Sequence, residues 1–397
     1  MNRTLQNKPK IIRVTTVPQS LHQLIKPQLD YLEKDFDLIT VSGPFDQENI
    51  NTYDEWKYKH YEINLTRTIS PLADAKAIRQ LYKIIKKEKP DIIHTHTPKA
   101  GLIGMIAAYL AGTEIRLHTV AGLQFAATKG AKKQMLIAFE KLIYKLAHQI
   151  MPNSKGVYNY IVKNNLCKPA KLKMLANGAT IGIDLNKYKR TAAIEDAAIK
   201  IKAASNIHDN DFVCCFIGRL TKDKGTEELI TAFQQIFEIH PNVKLILLGR
   251  YEQHLDPVDK RYIDYIETNP RIIHFGYQMD IRPYLAFSHL FVFPSYREGL
   301  PNVVLQAGSF NLPCVVTNIP GSSEIIKDGY NGLVVPAKDA GCLMQAVLCL
   351  IEDDKLHCEM SKRARAVIAE KYDQLSILEA LKQEYFKWIN KKTHPED

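Results

Sequence analysis

Short apolar runs alternate with longer amphipathic segments along almost the whole of this 397-residue chain. Few architectures satisfy that pattern. Parallel strands cannot be joined by a tight turn, so each needs a crossover, and a helix is the usual one. The alternation therefore predicts βαβ units and open parallel sheets with helices on both faces. In the first half, strands are expected over residues 11–17, 37–42, 91–95, 114–119, 149–152 and 173–176, with helices over 21–33, 73–88, 102–111, 132–147 and 155–164. In the second half, strands are expected at 212–217, 244–248, 272–275, 290–294, 314–317 and 332–335, with helices at 226–239, 281–287, 302–310 and 340–353. Residues 186–207, polar and rich in Ala and Lys, read as a linker. Residues 373–391 read as a final amphipathic helix with Leu375, Ile377, Leu378, Leu381 and Tyr385 towards one side. The length exceeds one ordinary core and asks for two domains. Two doubly wound halves put a ligand in the cleft between the carboxyl ends of their strands, so loops just after strands matter most.

Two such loops stand out. The apolar run 290–293 breaks at Pro294 into Ser295-Tyr296-Arg297-Glu298-Gly299-Leu300, and a helix is expected from Pro301 or Asn302. This junction offers a carboxylate, Glu298, for sugar hydroxyls and free backbone N–H groups around residues 300–303 for phosphate. A charge favoured by the helix dipole alone is the plainer alternative for Glu298. Gln306 lies about one helical turn past Asn302, on the side of the helix entrance. The second loop, Gly218-Arg219-Leu220-Thr221-Lys222-Asp223-Lys224-Gly225, directly follows the strand at 212–217 and opens a helix. Gly218 lets the backbone turn, Arg219 offers a planar fork to phosphate oxygens, Lys224 adds a point charge and Gly225 permits close approach. Two cations beside a helix start suit a diphosphate, and the alternative is a basic surface turn. Asp209-Asn210-Asp211 has the spacing of a metal-binding pair, but it precedes its strand and reads as a helix-to-strand turn.

Composition narrows the partners. The formal net charge of +10 favours anionic ligands, whether nucleotide, nucleic acid or acidic membrane, or serves solubility alone. The cations are mostly Lys and spread along the chain, unlike the clustered Arg and exposed aromatics of a nucleic-acid surface, so nucleic acid is not an expected partner. Seven cysteines without a C-x-x-C pair argue against a disulfide framework or metal site and for a reducing cytoplasm. The N-terminus lacks the apolar core of a signal peptide. The run 100–112 is too short to span a bilayer and contains Gly101, Gly104 and Gly112.

Taken in order, these features resemble the retaining nucleotide-sugar glycosyltransferases of family 4, whose GT-B architecture has two Rossmann-like domains with parallel sheets facing a central cleft. The resemblance rests on 218–225, on Glu298-Gly299-Leu300-Pro301, and on Asn177-Gly178 with Gly182-Ile183-Asp184. It rests also on Pro320-Gly321-Ser322-Ser323-Glu324-Ile325-Ile326 followed by Asp328-Gly329-Tyr330-Asn331-Gly332. Ile93-His94-Thr95-His96-Thr97-Pro98-Lys99-Ala100-Gly101 and His118-Thr119-Val120-Ala121-Gly122-Leu123 are similar to bacterial enzymes that build capsule, O-antigen or exopolysaccharide units. The resemblance implies an acceptor-side domain over 1–190, a nucleotide-sugar-binding domain over 205–371, and a helix at 372–392 packing back on the first. It implies a metal-independent, cofactor-free transfer of a hexosyl or N-acetylhexosaminyl group from a UDP-linked donor. The implied acceptor is a polyprenyl-linked glycan, met by a cytoplasmic protein peripheral to the inner face of the cytoplasmic membrane. Gly218, Arg219 and Lys224 would bind the donor diphosphate and Glu298 the donor sugar. The backbone of Gly299, Leu300, Pro301 and Asn302 would meet sugar and phosphate, and the loop from Gly276 and Tyr277 to Asp280 would border the nucleobase.

The sequence also departs from that family. A second Glu usually holds the ribose; here Gln306 stands, able to accept one hydroxyl without charge assistance. Many relatives carry a His where Ala121 stands, and His118, three residues earlier, is either catalytic or a buried strand histidine. Pro18 replaces the glycines common in the first loop, 15–20, giving an unusual acceptor-side loop. His94 and His96 share one side of a strand. Lacking a third ligand they make no metal site, and His96 is read as lining the cleft on the acceptor side. Lys99 at the strand end can meet an acceptor phosphate. Lys133, Lys141 and Lys145 cluster opposite Phe139, Leu142, Ile143 and Leu146, as on a core helix with a solvated basic face or on a membrane-surface helix. The alternatives in function are a nucleotide-sugar epimerase or hydrolase on the same scaffold, or a non-catalytic sugar-nucleotide-binding protein.

Overall fold

The computed structural model describes residues 8–44, 56–66, 70–123, 129–254 and 256–393. The chain divides into two compact units: Met1–Ile181 with Leu375–Asp397, and Gly182–Gln374.

The first unit holds a parallel sheet of β1 (Lys10–Val14), β2 (Asp37–Ser42), β3 (Lys59–Glu62), β4 (Ile92–His96), β5 (Ile115–Val120) and β6 (Gln149–Pro152), in the order β3-β2-β1-β4-β5-β6. Side chains alternate across it, so each strand feeds two cores. Ile12, Val14, Val41, Ile93 and Val120 pack against the helices Pro71–Glu88, Pro98–Ala111 and Gly130–Leu146. Ile11, Leu38, Ile92 and Leu117 pack on the opposite side with Leu29, Leu381 and Tyr385 from the helices Lys26–Leu32 and Gln374–Thr393.

The second unit holds β7 (Phe212–Ile217), β8 (Val243–Leu248), β9 (Ile272–Gly276), β10 (Leu290–Phe293), β11 (Cys314–Thr317) and β12 (Gly332–Val335), in the order β12-β11-β10-β7-β8-β9, again all parallel. Counted from its own first strand, each sheet has the same winding. The strand order reverses between β1 and β4 in one unit and between β7 and β10 in the other, the positions where open α/β sheets bind ligands.

Several expectations are corrected. The stretch read as a linker contains the helix Ala192–Ala204, inside the second unit, with the Thr191 side chain accepting from the Ile194 N–H. It looked like a linker because only Ile194 and Ala198 are buried on it. Residues 173–176 form no strand; Leu172 makes one isolated bridge to Ile150. The edge strand β3 was missed because Lys-His-Tyr-Glu carries no apolar run. The helix expected over 21–33 is split into a π-helical turn, Leu21–Ile25, and Lys26–Leu32. Pro27 supplies no N–H to the ladder there. Helices Lys260–Thr268 and Asp354–Tyr372 were also unanticipated.

Candidate functional site

In the second unit the loops after β7 and β10 lie side by side at the reversal of strand order. Gly225 makes this contact possible. Its φ is +73°, and a Cβ there would stand 2.2 Å from the Pro294 carbonyl oxygen, so no other residue fits. The turning freedom expected of Gly218 resides at Gly225 instead; Gly218 has no positive φ. The close approach brings Lys224 to Glu298, with Nζ donating to Oε1, and both side chains are 15% exposed. Ser295 Oγ donates to the same oxygen at 2.8 Å.

Around this pair cations and carboxylates alternate. Arg219 Nη1 donates to Glu252 Oε2 at 2.8 Å, and its Nη2 lies 3.8 Å from Asp223 Oδ2. Arg297 Nη2 donates to Asp223 Oδ2 at 2.9 Å, and the Thr221 hydroxyl to Asp223 Oδ1 at 2.6 Å. Burial alone would raise the Asp223 pKa, but the Thr221 hydroxyl and the charges of Arg297, Lys224 and Arg219 outweigh it and hold the carboxyl below its usual range. The helix Asn302–Ser309 starts beside this network with Pro301 at its N-cap and no side-chain cap, leaving N–H groups for an anion. Gly276 ends β9 and Tyr277 follows, with the Arg250 guanidinium 5.2 Å from the Tyr277 ring centre. Gln306 Nε2 donates to the Tyr188 hydroxyl at 2.7 Å. Thus Gly218, Arg219, Lys224, Glu298, Gly299, Leu300, Pro301 and Asn302 converge. Glu252, Asp223, Arg297 and Tyr188 were not foreseen. The contacts Arg219–Glu252, Arg297–Asp223 and Gln306–Tyr188 span 33, 74 and 118 positions, and only the Asp223 and Arg297 charges inside the motifs gave any signal.

The first unit places its candidates differently. His118 is removed from the catalytic candidates. It is 1% exposed, its Nδ1 bonds the Thr95 hydroxyl at 2.7 Å, and a Cβ on Gly101 would stand 2.5 Å from its ring. It therefore packs under the helix Pro98–Ala111, and burial pushes its pKa down to about 3, so it stays neutral. Lys99 is ion-paired to Asp74 at 2.5 Å, which compensates the charge assigned to an acceptor phosphate. His96 ends β4 and touches Arg13, which lies buried in β1. His94 is held between the hydroxyls of Tyr385 (2.6 Å) and Thr119 (2.8 Å). On the helix Gly130–Leu146, Glu140, Ile143 and Tyr144 are the buried residues, and Leu136 and Ile137 pack against the core. Leu142, expected inside, is exposed together with Met135, Lys141 and Lys145, while Lys133 is half-buried. Among the described residues no three His, Cys, Asp or Glu side chains form a potential metal site, and no helix is long and apolar enough to cross a membrane.

Comparison with known proteins fits this geometry. Residues 198–367 match the family described as "Glycosyl transferases group 1", and residues 15–154 match "Glycosyl transferase 4-like". Over 377 residues the chain is 31% identical to the capsular polysaccharide biosynthesis glycosyltransferase CapM of Staphylococcus aureus, covering 95% of this chain and 96% of that one. Over 331 residues it is 30% identical to the UDP-Gal:alpha-D-GlcNAc-diphosphoundecaprenol alpha-1,3-galactosyltransferase of Escherichia coli, covering 83% of each. Among solved structures, Anabaena HepE in complex with UDP and glucose is similar with a TM-score of 0.79 at 17% identity, over 96% of this chain and 100% of that one. Sucrose-phosphate synthase from Thermosynechococcus elongatus is similar with a TM-score of 0.78 at 18% identity, over 96% and 99%. These likenesses show the fold: two parallel six-stranded sheets flanked by helices, as in GT-B proteins.

Proposed function

This chain belongs to the group 1 glycosyl transferases with a 4-like first domain, and from that membership we propose that it is a retaining enzyme moving a sugar from a UDP-linked donor to a polyprenyl-diphosphate-linked glycan. The transferred group is a hexose or N-acetylhexosamine, and the product enters a surface polysaccharide. The Escherichia coli relative is named for UDP-Gal and a diphosphoundecaprenol acceptor, and the Anabaena neighbour was solved with UDP, which supports both ends of the reading.

The observation that carries it is the Lys224–Glu298 pair, set between a loop rich in cations and an uncapped helix start. Glu298 is a fixed acceptor for donor-sugar hydroxyls. When the sugar–phosphate bond breaks, negative charge grows on the leaving diphosphate. Lys224, Arg219 and the N–H groups at the start of Asn302–Ser309 are arranged to meet it without a metal ion. Gln306, its amide donor held by Tyr188, offers its oxygen to a ribose hydroxyl. The Gly276–Tyr277 turn borders the base. The protein works in the cytoplasm at the inner face of the cytoplasmic membrane, approached through the exposed Lys141, Lys145, Met135 and Leu142.

The test is a transfer assay with UDP-sugars and a short-chain prenyl-diphosphate-linked acceptor. Glu298→Ala should lower turnover by about a hundredfold or more. Its affinity for UDP should not fall, because Lys224 is then released towards the diphosphate. Wild-type turnover in that variant removes Glu298 from the site and the reading with it.

A further inference from the structure

Arg13 sits in β1, fully buried, on the sheet face covered by Lys26–Leu32 and Gln374–Thr393. Its Nη2 donates to Gln28 Oε1 and, at 2.6 Å, contacts His96 Nε2. Its Nε and Nη1 have no protein partner among the described residues. Among the described residues, the titratable groups around it are His96 and His94 from β4 and Tyr385 from the helix Gln374–Thr393, with His118 of β5 beyond His96. None is a carboxylate. The Tyr385 hydroxyl is pushed up to about 12 by burial, against the pull of Arg13, so it supplies no counter-charge at neutral pH. An uncompensated cation inside a protein is costly, and its field is weakly screened there.

The contact with His96 has a strict chemical consequence. A guanidinium only donates, so His96 Nε2 must accept, and the ring carries its single proton on Nδ1. A second proton on Nε2 would set two donors against each other. Burial and the Arg13 charge drive the His96 pKa well below its ordinary value, in agreement with that geometry. His96 is thus a neutral donor that cannot take up a proton as a general base. It ends β4 at the reversal of strand order in its unit, and its Nδ1 has no partner among the described residues.

The geometry points to His96 Nδ1–H, backed by the unneutralised Arg13, as a subsite for an anionic oxygen, namely that of the acceptor's diphosphate. His96 binds; Arg13 is a positioning residue that fixes the tautomer and lends its field. The assignment of that oxygen to the acceptor rests on the reading of the first unit as acceptor-side.

The experiment uses the full chain, labelled with 15N in its histidine rings and saturated with UDP so that the second unit is occupied, with inorganic pyrophosphate as the probe. One signal, assigned through its loss in His96→Gln, should show a protonated Nδ1 and a bare Nε2 from about pH 5.5 to about pH 8.5, and pyrophosphate should shift it. Arg13→Met should weaken pyrophosphate binding by about ten- to a hundredfold with UDP affinity unchanged. Gln28→Glu sets a carboxylate against the guanidinium without touching the His96 contact, and covers the case of an Arg13 variant that does not fold. It should keep the tautomer and lose pyrophosphate to a similar degree. An Nε2-protonated or titrating His96, or wild-type pyrophosphate binding in Gln28→Glu, overturns the proposal. Neither readout needs sugar transfer, so its failure and that of the proposed function are told apart.

Discussion

Glu140 ties the stability of the first unit to pH through one side chain. It is 4% exposed on the helix Gly130–Leu146, and burial raises its pKa from 4.5 to about 7. The folded value lies above the unfolded one, so the native state keeps a proton that the unfolded chain has lost. Stability therefore falls as pH rises from about 4.5 to about 7, by on the order of 3 kcal/mol. Glu140→Gln removes the ionisation and should raise the melting temperature at pH about 8 while leaving it nearly unchanged at pH about 5. A lower melting temperature at both pH values would mean the carboxyl makes a contact the amide cannot. Single residues were the scale at which the sequence was least legible. Arg13 stood visibly charged in an apolar run, but its partners Gln28 and His96 lie 15 and 83 positions away. In sequence His118 fits both of its readings, and only the packing of Gly101 against its ring separates them.

Elements are set by short-range pattern, and there the sequence speaks more plainly. Buried parallel strands read as continuous apolar runs, so β7 and β11 fall on their expected residues, whereas β3, exposed at an edge, carries no such signal. The two site loops were legible as motifs, because Arg219, Lys224 and Glu298 sit at strand ends. Gly225 was legible as the point of close approach, but its partner was not, since the contact with Pro294 links elements far apart in sequence. Gly225→Ala should force those loops apart. The left-handed φ and the 2.2 Å approach predict a loss of about 2 kcal/mol or more in denaturant unfolding. UDP affinity should drop by about tenfold with it, as calorimetry can measure. Unchanged affinity would separate the loop contact from donor binding.

For the molecule as a whole, the charge of +10 finds one local expression in the helix Gly130–Leu146, where lysines flank exposed Met135 and Leu142. Replacing Lys133, Lys141 and Lys145 with Glu should reduce sedimentation with anionic vesicles by about tenfold or more at low salt. Undiminished sedimentation would assign that face to solvation alone. The repeated doubly wound plan was legible from the alternation of strands and helices, but the path of the chain between its units was not, because a helical period does not say which core a helix joins. That path has a consequence for how the protein is made. The second unit is one continuous segment, Gly182–Gln374, whereas the core around Ile11, Leu29 and Phe36 needs Leu381 and Tyr385. On the ribosome, then, the unit translated second is the first to have all of its residues. The half synthesised first must wait, its core open on one side, until the helix Gln374–Thr393 has left the exit tunnel.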